Sequence, residues 1–330
     1  MSSTSATPSN IAGAVRTDLS QVTPFMIHGT DVSGRMIRLN AVADQILAAH
    51  PYPEVMRHQL AQMAGLAAGM AAAMKFDGKI IVQAKGDGAI PLLVADADSK
   101  GGVRAYGQWD DEKLAQFDDP MTAGIPALMG QGYIAFTIDQ GSHTDRYQGV
   151  VPLAGENLGE CMQHYFTQSD QLDMVVRLES AQRSDGLGMV VGCLLIQRLP
   201  DIGGEASKAS YDEDASLESW RRAMAFVGSV KREELASDSL SEEQLLYRLF
   251  HEDGVQLMET KELYRTCGCS QERIRAVLSS LKADDFEHCF VEQADGRRVA
   301  VSTCEFCNTT YEFDRAAFEL SEEGATVGQA

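Results

Sequence analysis

The chain has 330 residues, with 28 Lys and Arg against 48 Asp and Glu and a formal net charge of −20. A charge of that sign repels a phosphate backbone and excludes a general nucleic-acid binder, and no apolar run reaches the roughly 18–20 residues that a membrane-spanning helix needs. Hydrophobic residues make up 44%, enough to bury a core, and the length accommodates two ordinary domains.

Residues 1–23 are rich in Ser, Thr and Ala and hold no continuous apolar stretch. Without the apolar core of a signal peptide they are predicted to be a disordered tail on a cytoplasmic protein. Asp44–His50 carries a short helical pattern closed by Pro51-Tyr52-Pro53. From Glu54 to Met74 the positions Met56, Leu60, Met63, Ala67, Met70 and Met74 recur every three or four residues, the stripe of one long amphipathic helix. Its methionines are read as core filling rather than as an adaptable surface. Strands are predicted at Lys79–Lys85, Pro91–Asp96 and Val103–Trp109, and Gly86-Asp87-Gly88 is a turn between two of them rather than a phosphate loop. Tyr133–Asp139 and Arg146–Leu153 form another pair, Asn157–Thr167 a helix, and Met174–Leu178 and Met189–Gln197 the last strands. Strands and helices mix without regular βαβ alternation, so residues 24–200 are expected to be an α+β domain with a mixed or antiparallel sheet and packed helices.

Residues 201–250 read as an acidic helical linker. Asp201–Ala215 is polar; Leu217, Trp220, Met224 and Val227 then form one apolar stripe. Ser241-Glu242-Glu243-Gln244 is a capping box for a second helix bearing Leu245, Leu246, Leu249 and Phe250. Neither helix has a core of its own, so both should lie against a flanking domain. The charge is uneven as well: residues 1–200 hold 14 basic and 21 acidic side chains, residues 201–330 hold 14 and 27.

Five of the seven cysteines crowd the C-terminal end. Cys267-Gly268-Cys269 and Cys304-Glu305-Phe306-Cys307 are two close pairs separated by 34 residues. Two such pairs brought together supply the four thiolates of a closed, structural Zn²⁺ site, with Gly268 relieving crowding between its neighbours. Residues 251–320 are therefore predicted to be a small zinc domain, and 321–330 a second disordered tail. Zinc supplies about 10–16 kcal/mol to the folding of small modules, so losing it should unfold this one. Thiolates are the oxidisable form of cysteine; peroxide would convert the ligands to Cys267–Cys269 and Cys304–Cys307 disulfides, release the metal and unfold the domain. His288-Cys289 is a bystander beside four better-spaced thiolates. Cys161 and Cys193 fall on apolar patterns as inert core thiols, and His143 near Asp145 has no nucleophile beside it.

These residues carry a family resemblance. Cys267-Gly268-Cys269-Ser270 with Cys304-Glu305-Phe306-Cys307, and Arg146-Tyr147-Gln148-Gly149-Val150-Val151, resemble motifs of the 33 kDa chaperonin family, a bacterial redox-regulated heat-shock holdase. Phe76-Asp77-Gly78 with Gly86-Asp87-Gly88 is similar to its first hairpin region. Further likenesses are Cys161 with Tyr165-Phe166, Ser169, Gln171 and Leu172, and Tyr247-Arg248-Leu249-Phe250-His251-Glu252. The likeness spans about residues 24–320; the gap between the cysteine pairs is slightly long, and Cys289 is an extra thiol. The resemblance implies an α+β core, a helical linker and a C-terminal zinc domain. It also implies ATP-independent capture of unfolding client proteins after oxidation, with dimer formation in that state.

A holdase reading agrees with the rest of the chain, which has no Walker-type phosphate loop. Collapse of the zinc domain would free the linker and expose Leu217, Trp220, Met224, Leu245, Leu246 and Phe250 as a client-binding surface. Two rivals are a thiol–disulfide oxidoreductase using Cys304 and Cys307, and a zinc-ribbon interaction module. The first wants its Cys-x-x-Cys at a helix N-terminus after a strand; the second wants a basic groove where this chain is acidic. The protein is thus expected to be no enzyme and to have neither nucleic-acid nor membrane partners.

Overall fold

Ser20 to Leu39 folds back on itself as a hairpin, β1 (Ser20–Ile27) and β2 (Val32–Leu39), turning at Gly29 with φ of 72°. The structure, a computed structural model, describes residues 19–74, 76–140, 147–169, 173–199 and 212–318. Residues 1–18 of the first expected tail, the whole of the expected tail 321–330, the stretch 201–211, and His143, Asp145, Arg146, Gln171 and Leu172 lie outside the described residues. Helix α1 (Ala41–Leu47) follows β2, starting three residues before the predicted Asp44 because Ser20 Oγ accepts the amides of Asn40 and Val42. Then come α2 (Glu54–Ala73) and three strands, β3 (Lys79–Gly86), β4 (Leu92–Asp98) and β5 (Gly102–Gln108). The short helices α3 (Asp111–Leu114) and α4 (Ile125–Met129) lead to β6 (Gly132–Asp139), β7 (Tyr147–Pro152), α5 (Leu158–Ser169), β8 (Met174–Gln182) and β9 (Met189–Arg198).

The linker helices are α6 (Glu213–Gly228), α7 (Arg232–Leu235) and α8 (Glu242–Phe250). After them β10 (Val255–Leu257), β11 (Lys261–Glu262) and β12 (Tyr264–Arg265) add to sheet edges. One sheet runs β10-β1-β2-β9-β8, with β11 also on β1; it is antiparallel throughout. Pro24 has no N–H to give, and it falls where the partner of β1 changes from β11 to β10. The second sheet runs β12-β5-β4-β3-β6-β7, parallel only at β12–β5. The fold class is α+β, as expected.

Helix α2 packs on both sheets, and its buried stripe of Met56, Leu60, Met63, Ala67 and Met70 sits at the centre of the main core. Alternation along the strands sorts the rest. Val22, Ile37, Leu39, Val191 and Cys193 point inward to that core. Phe25, Ile27, Val32, Met36, Leu194 and Ile196 point to the opposite face, where α6, α7 and α8 cover them in a second core. Strand β9 is therefore buried on both faces from Met189 to Ile196, which explains its unbroken apolar run.

The chain divides into two compact units between Thr266 and Cys267. Residues 255–265, grouped with the zinc domain from sequence, are edge strands of the first unit. Likewise β1 begins at Ser20, inside the stretch expected to be a tail. The edge strands β10, β11 and β12 depend on partners far away in sequence, which local pattern does not reveal. The second unit contains α9 (Gln271–Ser279), α10 (Ala283–His288) and a three-stranded antiparallel sheet, β13 (Val291–Glu292), β14 (Arg298–Thr303) and β15 (Thr310–Asp314).

Candidate metal centre

The second unit buries little: Leu278, Phe290, Ala300, Phe313 and Phe318 form its core. Phe286, Phe290 and Phe318 meet edge to face at 4.9–5.7 Å, and the Arg315 guanidinium lies 5.0 Å from the Phe286 centroid. A core this small asks for a further tie.

Two turns bring the four cysteines together. The Cys267-Gly268-Cys269 turn runs straight into α9, whose N-cap Ser270 accepts the amide of Arg273 through its hydroxyl. Arg273 Nη1 in turn donates to Gly268 O at 2.6 Å and holds the turn closed. Gly268 keeps that contact open, since a Cβ there would meet the same nitrogen at 2.6 Å. Cys304 to Cys307 form the tip of the β14–β15 hairpin. Cys304 N donates to Thr309 O, Asn308 N donates to Cys304 O at 2.7 Å, and Asn308 takes the left-handed conformation at φ 58°.

All four Sγ atoms lie within 4.8 Å of one another. The Cys267–Cys269, Cys267–Cys304 and Cys269–Cys307 separations are 3.3, 3.6 and 3.3 Å. Four sulfurs about 2.3 Å from one tetrahedral ion would be about 3.8 Å apart, whereas a disulfide needs about 2.05 Å. All four thiols are free. The electrostatics agree with a cation. Burial pushes the Cys269 thiol up to about 12, helped by the neighbouring sulfurs against the Tyr311 hydroxyl. Burial likewise raises Cys304. At Cys307 burial is outweighed by hydrogen bonds from the Thr309 hydroxyl and backbone and from Cys269 and Cys304, which bring it down to about 6. The Cys307 thiolate forms readily, and Cys269 and Cys304 resist joining it; a divalent ion at the centre removes that repulsion. The donor set fits Zn²⁺.

Sequence reasoning picked out the four cysteines that cluster and missed the hydroxyls beside them. Tyr311 Oη donates to Cys269 Sγ at 3.2 Å, and Thr309 Oγ1 lies 3.2 Å from Cys307 Sγ. A hydroxyl two or four residues after a Cys-x-x-Cys is the signal that marks them. Cys289 stands apart, half-buried against the aromatic core with Sγ donating to Asp285 O at 3.3 Å. Cys304 and Cys307 sit on a hairpin rather than at a helix N-terminus, unlike a thioredoxin-type dithiol.

The six apolar residues read as a client surface all belong to the first unit. Trp220, Leu245, Leu246 and Phe250 are buried under the outer face of the β10-β1-β2-β9-β8 sheet, Met224 packs partly against them, and Leu217 is half-buried. Among the described residues no helix is long and apolar enough to cross a membrane.

A family model described as Hsp33 protein matches residues 20–314. A 33 kDa chaperonin of Caulobacter vibrioides is 37% identical over 296 residues, covering 89% of this chain and 94% of the relative. One from Pseudomonas fluorescens is 33% identical over 304 residues, 92% and 93% of the two chains. Among solved structures, the crystal structure of the 33 kDa chaperonin (heat shock protein 33 homolog) from Thermotoga maritima matches with a TM-score of 0.72. It covers 94% of this chain and 100% of that one at 20% identity, a likeness of fold.

Proposed function

The chain belongs to the Hsp33 protein family, and from that membership we propose that it is a redox-regulated, ATP-independent holdase of the bacterial cytoplasm, non-enzymatic, inactive while reduced and metal-loaded. The observation that carries the reading is the four-thiol cluster in a unit with so small an apolar core. Cys267, Cys269, Cys304 and Cys307 would hold one Zn²⁺, which when bound neutralises their thiolates and ties the two turns together.

The chain's own residues do the rest. Peroxide oxidises one thiolate to a sulfenic acid; the second thiol of the same pair attacks that sulfur, and water leaves. Each pair thus consumes one peroxide, gives one disulfide and two waters, and withdraws two metal ligands. Cys267–Cys269 and Cys304–Cys307 are the pairs within reach along the chain. Unfolding of the second unit then frees residues 212–250, and the apolar face of α6 and α8 becomes available to unfolding client proteins. The excess of acidic residues in this part of the chain keeps it soluble when open. Dimerisation of the oxidised form enlarges the client surface.

Light scattering of a thermally unfolding client, with reduced and peroxide-treated protein side by side, tests the reading. Suppression after oxidation alone is expected; equal suppression in both states would remove the switch. Zinc release followed during oxidation tests the metal.

A further inference from the structure

Arg38 stands on β2 and points to the outer face of its sheet, beside Met36, yet it is only 3% exposed. What buries it is the linker. Its Nη1 donates to Leu235 O, at the last residue of α7, at 2.6 Å, and its Nη2 to Leu240 O, just before the N-cap of α8, at 3.3 Å. Both acceptors therefore lie on the connection between two linker helices. The same connection presses on β9, where a Cβ at Gly192 would come 2.0 Å from Leu235 O. Two further ties flank it: Ser184 donates through N and Oγ to Asp238, and Gln21 Nε2 donates to Glu242 Oε1 at 3.0 Å. Glu242 is itself 6% exposed; burial disfavours the Arg38 cation, and the charges of Glu242 and Asp238 act against that.

We propose that Arg38 is the positioning residue through which the core seats the α7–α8 connection and so holds the linker in its docked state. The inference rests on the reading of residues 212–250 as the segment set free on activation. A guanidinium can span two carbonyls with one rigid fork, which a point charge cannot. Its burial is also conditional. With the linker docked, Arg38 loses its water and gains two carbonyls and a buried carboxylate; with the linker away, it is solvated again. Without Arg38, both carbonyls stay buried without their donor, a cost that the desolvation of the cation offsets only in part. The linker is thus held in one register without being locked. Arg177, half-buried on β8, makes a longer, 3.4 Å bond to Val230 O among the described residues and serves as the contrast.

The test is hydrogen exchange on the reduced, zinc-loaded full chain carrying Arg38→Met. Residues 232–250 should exchange about 10- to 100-fold faster, the loss of charge-assisted hydrogen bonds, while α2 stays as protected as in the unmodified protein and zinc content is unchanged. Arg38→Lys should fall between, and it decides the matter if the methionine variant does not fold. Arg177→Met should change exchange far less. Unchanged protection of residues 232–250, or loosening of α2 in equal proportion, would overturn the assignment. Client capture is scored separately. A loosened linker that suppresses no aggregation in the reduced state leaves Arg38 in its role and counts against the linker as the client-binding surface.

Discussion

The Phe25 ring of β1 lies 5.7 Å from the Phe250 ring at the end of α8, and both are fully buried. Phe25 is paired across the strands with Gly34, and a Cβ at Gly34 would come 2.1 Å from Phe25 Cζ. The far end of the ring therefore occupies the space a side chain at position 34 would take, against the bare backbone of β2.

Gly34→Ala should act on the linker through this stack. The added methyl would have to displace the buried Phe25 ring, an overpacking of about 1–3 kcal/mol. A lower urea midpoint is expected, with zinc content unchanged. A midpoint equal to that of the parent would mean that Phe25 is free to move.

Metal removal should divide the molecule. Zinc in small modules contributes about 10–16 kcal/mol, and among the described residues the second unit has six buried apolar side chains to stand in for it. Treating the reduced protein with a strong chelator should abolish amide protection in α9 and leave α2 protected. Persisting α9 protection after complete metal loss would show that the aromatic core suffices.

How far the sequence could be read follows from how local each feature is. Cys267, Cys269, Cys304 and Cys307 identify themselves by spacing, and α2 by its stripe. The strands β3 to β9 announce themselves by alternation or by an apolar run. The first hairpin does not, because Pro24, Gly34, Arg35 and Arg38 break the pattern of β1 and β2. Arg38 in particular looks like a solvent-facing residue until the linker is placed over it. Strands β10 to β12 are two or three residues long and exist only because an edge is there to receive them. The apolar faces of α6 and α8 were legible, but the surface they cover was not.

Tyr311→Phe removes the hydroxyl that donates to Cys269 Sγ at 3.2 Å. Partners behind a metal ligand are typically worth about 10–100-fold in metal affinity. Competition against a chromogenic chelator should show a loss in that range with an unaltered circular dichroism spectrum. An unchanged affinity would make the contact incidental.

Cys161 and Cys193 should be silent towards oxidants and alkylating agents. Both are fully buried; burial, with Glu160 adding to it, raises Cys161 to about 11, and burial alone raises Cys193 to about 12. The reactive form is the thiolate, which neither supplies near neutral pH. Mass spectrometry after iodoacetamide treatment of the chelated protein should find all four cluster cysteines labelled. Cys161 and Cys193 should be labelled only in denaturant; labelling under native conditions would mean that the first unit opens.

His58 gives stability a dependence on pH. It is buried on α2, with Nδ1 2.8 Å from Ser180 Oγ, which also accepts from Gln62 Nε2. Burial first, and then the Arg232 cation, with Arg57 adding and Glu54 opposing, hold its pKa below the ordinary value of 6.5. In the unfolded chain His58 takes a proton near pH 6.5, whereas in the folded chain it stays neutral to lower pH. Between these values the unfolded state binds the extra proton. This contribution is therefore fully present above about pH 6.5 and is lost as pH falls, with a slope of up to about 1.4 kcal/mol per pH unit. His58→Gln removes the titration and keeps a polar side chain near Ser180. Urea midpoints from pH 7.5 to 5.5 should fall more steeply for the parent than for the variant, the curves converging below about pH 6.5. Parallel curves would show that His58 takes up its proton equally in both states.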